Sequence, residues 1–341
     1  MLRSMDSAVS GLRAHQNKLD VIGHNIANVN TNGFKAQSYT FKDTMYQTST
    51  ASTNGTASAG GVNAAQYGYG ALMGVISMDM TASTPTYKGG FNATIDGSGF
   101  FITNSQKLDP QGVTGTGDEG VLKSSSFGFT RVGQFNIDSN GYITDGNGNF
   151  VYGFNVDSSG QNQSTSLGPL RVPKSVLQNS NGSYEVEFSK DVGDGEAMEA
   201  LDVQINKMGD IQVSLKIQYG TGKDEDGNDP TTSGKPEVIA EKVATVTIGQ
   251  VAIATFQNEE GLTKDGNGYY VSTPSDNTGT CSAGAPGEGR STLMPGYLEA
   301  SNVDMATEFS EMIMTQRGFQ ANSKIITVSD EILNDLINMK R

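Results

Sequence analysis

The feature that most restricts this chain is a seven-residue apolar repeat placed at both of its ends. Met5, Leu12, Leu19 and Ile26 recur at sevens, with Leu2, Val9 and Ile22 filling in at three or four. That spacing lays one apolar stripe along a helix and leaves the rest polar. Just beyond it, Asn28, Asn30, Thr31, Asn32 and Gly33 are turn formers that end the helix. Near the other end Met305, Met312, Phe319, Ile326 and Leu333 repeat at sevens, widened by Phe309, Ile313, Leu336 and Ile337. Ser301 or Asn302 is the expected N-cap, Asp304 and Glu308 stand near the positive end, and Lys340 and Arg341 near the negative end. A period of seven predicts that the two helices pack on each other, antiparallel or slightly supercoiled. A solitary pair would leave apolar surface wet, so partners from other copies are expected.

Between the helices the sequence changes character. Glycine is in excess, 43 of 341 residues, without a collagen period, and hydrophobic residues make up only 35%. Many tight turns and modest cores follow. Residues 31–70 carry no helical or strand period and read as an extended linker. Alternating runs such as FNATIDGSGFFIT, FTRVGQFNID and VATVTIGQVAIATFQ predict antiparallel strands over 71–164 and 244–300. From Glu185 to Lys242 there are 14 acidic and 6 basic residues, so 165–243 reads as an acidic β domain inserted in the first. The fold class expected is mixed and mainly β: terminal helices 1–30 and 301–341 paired in coiled-coil fashion, plus two antiparallel β domains, one inserted in the other.

Little in the chain supports catalysis or cofactors. A net charge of −14 disfavours nucleic acid and anionic lipid. The single cysteine, Cys281, excludes an internal disulfide. His15 and His24, nine residues apart, fall on opposite helix faces and cannot share a metal. Asp145, Asn147, Asn149 and Asp224, Asp226, Asn228 imitate calcium loops, but Phe150 and Asp229 stand where glycine is needed, and Val156 and Lys235 where a carboxylate is needed. Asp138 to Tyr142 and Asp265 to Tyr269 read instead as hairpin turns. Gly97 and Gly99 imitate a dinucleotide fingerprint without its helix. No metal, no cofactor and no enzymatic activity are expected. No apolar run is long enough for a membrane span, and the interrupted opening is unlike a cleavable signal.

The two ends also carry long motifs. SAVSGLRAHQNKLDVIGHNIANVNTNGFK, with Asn25, Asn28, Asn30, Thr31, Gly33 and Phe34, resembles the N-terminal motif of the bacterial flagellar rod and hook axial proteins. The closing segment, with Leu298, Glu299, Ser301, Asn302, Gln316, Arg317 and Asp330 to Leu333, is similar to that family's C-terminal motif. IDGSGFFI, RVGQFNIDSNGYI and ATFQNEEGLTKDGNGYY also match. The resemblance implies a structural subunit of the flagellar hook, self-assembling into a flexible helical tube that carries motor torque to the filament as a universal joint. A distal rod subunit is the alternative within the family, and a secreted β-rich surface or adhesin subunit the alternative outside it. The resemblance further implies export through the flagellar type III apparatus to an extracellular position without a cleavable signal. Its implied partners are many copies of itself, the distal rod and hook–filament junction proteins and the hook cap, with no nucleic acid and no membrane insertion.

Overall fold

The computed structural model describes residues 2–55, 60–108, 111–112, 122–123, 127–156, 162–172, 175–178, 184–187, 200–219, 240–287 and 290–339. The chain divides into two compact units, one made of residues 1–31, 35–81 and 301–341 and the other of 32–34 and 82–300.

The first unit holds both helices, α1 (Leu2–Ala27) and α2 (Met305–Met339), and four strands, β1 (Gln37–Asp43), β2 (Tyr46–Thr50), β3 (Ala65–Gly68) and β4 (Ala71–Met78). α1 stops where the asparagine run begins: the N–H of Asn28 bonds the Asn25 carbonyl, and that of Thr31 bonds the Asn28 carbonyl. The α2 cap differs from expectation. Asp304 holds it, accepting from the Ala306 N–H at 3.0 Å and the Thr307 hydroxyl at 2.7 Å. These bonds, the Thr307 hydroxyl first, also hold the Asp304 carboxyl below its ordinary range. Ser301 and Asn302 lie just upstream and are used otherwise.

The segment expected as linker is paired. β1 and β4 run antiparallel from Gln37↔Met78 to Asp43↔Ala71, and β2 and β3 continue the ribbon from Tyr46↔Gly68. Most of its side chains are exposed, so the alternation that marks a half-buried strand never develops. What favours a strand here is its Thr and Tyr content.

Among the described residues the second unit is mainly antiparallel β structure, with a parallel pairing at Leu177↔Gln218 and a short 3-10 helix at Glu259–Gly261. Phe100–Asn104 and Phe150–Val156 are neighbours in its large sheet, and Ile253–Phe256 and Gly128–Thr130 both pair with the former. The turn Gly266–Gly268 reverses the chain as expected, with φ of 90° and 83° at the glycines and 50° at Asn267. Of the acidic span, residues 223–237, with Asp224, Asp226 and Asn228, lie outside the described residues. Its described strands Ala200–Ile205 and Asp210–Tyr219 continue the large sheet through Ala240–Val251. Ile205, Ile211 and Val213 share one core with Phe101, Phe135, Val151 and Leu293. Apolar continuity therefore joins this part of the span to the larger domain.

Buried polar clusters help fix this unit. Arg131 donates to the Gly97 carbonyl at 2.8 Å, stands 3.6 Å from Glu299 and covers the Phe100 ring. Asp145 accepts from the N–H groups of Asn147 and Asn149 and from the Tyr269 hydroxyl, so this calcium-like loop is a turn closed on its own backbone. Burial first, and the bond to Asp145 second, push the Tyr269 hydroxyl up to about 12.

Candidate assembly surface

The two helices run antiparallel and meet along small residues. Lys18 pairs with Glu311 at 2.9 Å, and Asn25 donates to Glu308 at 2.9 Å. A Cβ on Gly11 would stand 2.9 Å from the Asn322 amide, and one on Gly318 would stand 2.6 Å from the His15 ring. A Cβ at either position would force the Asn322 amide or the His15 ring to shift. Ala8 and Ala14 of α1 and Thr315 and Ser329 of α2 are buried, the last two bonding the carbonyls of Glu311 and Ile325 in their own helix. The His15 ring lies 5.2 Å from that of Phe41 on β1, and burial, followed by the charge of Lys18, lowers its pKa. Burial likewise raises the Glu308 pKa, against the opposing bond from Asn25.

The seven-residue stripe lies on the covered faces of the two helices but is only partly buried there. Ile22 alone of the predicted apolar residues with described surroundings is fully buried, while Met5, Leu12, Leu19, Ile26, Met312, Phe319, Ile326 and Leu333 are half-buried. Val9, Met305, Phe309, Ile313 and Leu336 are exposed. Leu2 stands at the start of α1. Exposed Met314, Ile325, Val328, Ile332 and Ile337 extend the uncovered face. The ribbon adds Met45, Tyr46, Tyr67, Leu72, Met73, Val75 and Ile76, and residues 44–78 contain no charged side chain. Monomers rarely expose apolar surface on this scale.

The motif asparagines serve the joint where helices and ribbon meet. Buried Asn25 donates to the Gln37 carbonyl at 2.8 Å and accepts from its N–H at 3.0 Å, tying α1 to β1. Asn302 accepts from the Ala36 N–H at 2.7 Å and donates to the Asp79 carbonyl at 2.9 Å, tying the approach to α2 to both ribbon ends. Asn28 donates to the His24 carbonyl and accepts from the Thr31 hydroxyl. Ser301 accepts weakly from the Val303 N–H at 3.4 Å. Buried Lys35, which sequence reasoning left without a role, donates to the Thr81 carbonyl at 2.7 Å. In the second unit Gly33 donates to the Glu299 carbonyl at 2.8 Å, and Lys264 lies over the Phe34 ring. Asn30, Gln316 and Arg317 are exposed.

The sequences of both ends match known families. A family described as "Flagella basal body rod protein" matches residues 5–35, and "Flagellar basal body rod FlgEFG protein C-terminal" matches 294–339. The flagellar basal-body rod protein FlgG of Bacillus subtilis is 36% identical over 344 residues, covering all of both chains. The chain belongs to the flagellar rod and hook protein family. Other family members include the flagellar hook protein FlgE of Borreliella burgdorferi, 27% identical over 460 aligned positions and likewise covering all of both chains. The crystal structure of Helicobacter pylori flagellar hook protein FlgE2 covers 64% of this chain and 100% of that one, at 12% identity and a TM-score of 0.36. The matched segments contain α1 from Met5 onward, all of α2, Asn25 and Asn302. The family motif thus falls on the helical unit and its joint.

The chemistry of small sites is sparse. Among the described residues no group of three His, Cys, Asp or Glu side chains is placed to hold a metal. Cys281 is buried beside Phe256 in the antiparallel pairing of its strand. Among the described residues no helix is long and apolar enough to cross a membrane.

Proposed function

We propose that this flagellar structural protein is the hook subunit, and that α1, α2 and the ribbon form its polymerisation surface. One observation carries the reading: the helical unit leaves many of its large apolar side chains exposed, among them Phe309, Ile313, Met314 and Ile337 on α2 and Leu72, Met73 and Val75 on the ribbon. A single copy gains little from that surface, whereas a lattice of copies buries it on many sides. Repeated heterologous contacts that do not close generate a helical tube. The loss of chain entropy on ordering is offset only when neighbours are present, which keeps exported monomers apart until they reach the growing end.

In this reading residues 1–30 and 301–341 line the tube, and the polar, acidic character of the rest of the chain lets neighbouring copies slide as the tube bends. The subunit is not an enzyme. It passes through the flagellar export apparatus, adds beneath the hook cap, and joins the distal rod at one end and the hook–filament junction proteins at the other. A distal rod subunit is the second reading, favoured by the full-length match to a rod protein of nearly equal length. Electron microscopy of basal bodies from a deletion strain separates the two. Complete rods without hooks support the hook subunit, and truncated rods support the alternative. Purified chain that never forms tubes under any condition contradicts both.

A further inference from the structure

Two unfilled features of the helical unit complement each other. The first is an apolar groove of about 390 Å³ between α1 and β4, lined by Asp6, Val9, Arg13, Leu72 and Met73. The second is the end of α2. Gly318 lies against His15 and Asn322 against Gly11, so the same register sets Leu2 level with Glu331. Residues 332–339 therefore run past the start of α1 for about 12 Å at 1.5 Å per residue. They carry Leu336, Ile337 and Met339, the last two 65% and 82% exposed. This end cannot reach the groove of its own chain, which begins four residues inside α1, without breaking the helix.

We infer that the end of α2 in one copy docks in the α1–β4 groove of the next, antiparallel to that copy's α1. The order of side chains sets the occupant. From residue 335 the segment reads acid, apolar, base: Asp335, then Leu336, Ile337 and Met339, then Lys340 and Arg341. Along α1 from residue 13 towards its start the groove reads base, apolar, acid: Arg13, Val9, Asp6. Leu72 and Met73 of β4 close the apolar centre. Three side chains on one helix end bury far less than the roughly 800 Å² per partner of a stable pair. The contact fits repetition in a lattice, where each copy offers one groove and one helix end, rather than a dimer in solution.

The inference rests on the assembly reading above, and its test separates the two. Ile337→Cys and Leu72→Cys are placed together in the full chain, polymer is assembled under reducing conditions, and the polymer is then oxidised. A ladder of covalent multimers is expected, while Ile337→Cys paired with Tyr87→Cys gives none. Polymer that forms normally and yields no 337–72 ladder overturns the docking but leaves the assembly reading intact. Wild-type chain that forms no polymer overturns the assembly reading itself. Arg13→Asp is expected to raise the critical concentration about two- to fivefold, the range of an exposed ion pair. Asp335→Arg combined with it should restore the wild-type value. Failure of the reversed pair to recover refutes the proposed register.

Discussion

Ile313 offers a direct way to separate outward contacts from the helix seam. Its side chain is 52% exposed in α2, so about half of its surface is left for a neighbour. Full burial of such a side chain stabilises by roughly 1.5–3 kcal/mol, so about 1 kcal/mol remains to be gained per subunit on assembly. Ile313→Ala forfeits most of that and should raise the critical concentration about fivefold. The same change should leave the helicity of the unassembled chain nearly unchanged, because the better helix propensity of Ala, by a few tenths of a kcal/mol, offsets part of the packing lost from the half already covered. Sedimentation of polymer across a concentration series gives the first quantity, and circular dichroism of the unassembled chain gives the second. An unchanged critical concentration, or helicity lost from the monomer, would refute the division between seam and outer face.

Other positions give complementary expectations. Gly318→Val drives a side chain into the His15 ring, and overpacking of this kind costs about 1–3 kcal/mol, so the helical pair should open at lower urea even without assembly. Arg131→Met strands Glu299, itself almost fully buried, and should destabilise the β unit by about 3 kcal/mol in calorimetry, with Glu299→Gln recovering part of the loss. Asp276 is pushed upward by burial, but hydrogen bonds from Thr278, Ser272 and Thr273 outweigh this and hold its carboxyl at about 2 against an ordinary 3.8. A depressed pKa adds stability that is complete above about pH 4 and lost as pH falls through 2, so Asp276→Asn should flatten acid unfolding in that window.

Both helices were legible because their period is strong, and the observed Leu2–Ala27 and Met305–Met339 lie within the ranges expected. Their mutual packing was legible only in direction. Hydropathy assigns seams to large apolar residues, whereas two close approaches here are made at Gly11 and Gly318, which carry almost no such signal. The cap was misplaced because Asn302 looks like a capping residue, yet its amide is committed to Ala36 and Asp79, leaving Asp304 for the helix. The ribbon escaped notice because few of its side chains are buried, so nothing enforces alternation. Its freedom from charge between residues 44 and 78 was the available clue. In the acidic span the strand pattern could be read, but pairing with Ala240–Val251 and a shared core could not, since they join residues far apart in sequence.

The division of apolar surface can be tested at the methionines. Dilute peroxide applied to monomer and to assembled polymer, with oxidation mapped by mass spectrometry, reports the exposure of Met73, Met314 and Met339, which are 47%, 61% and 82% exposed in a single copy. If the outward faces of helices and ribbon are where copies meet, all three react readily in the monomer and slow sharply in the polymer. Equal rates in the two states would mean that copies join elsewhere.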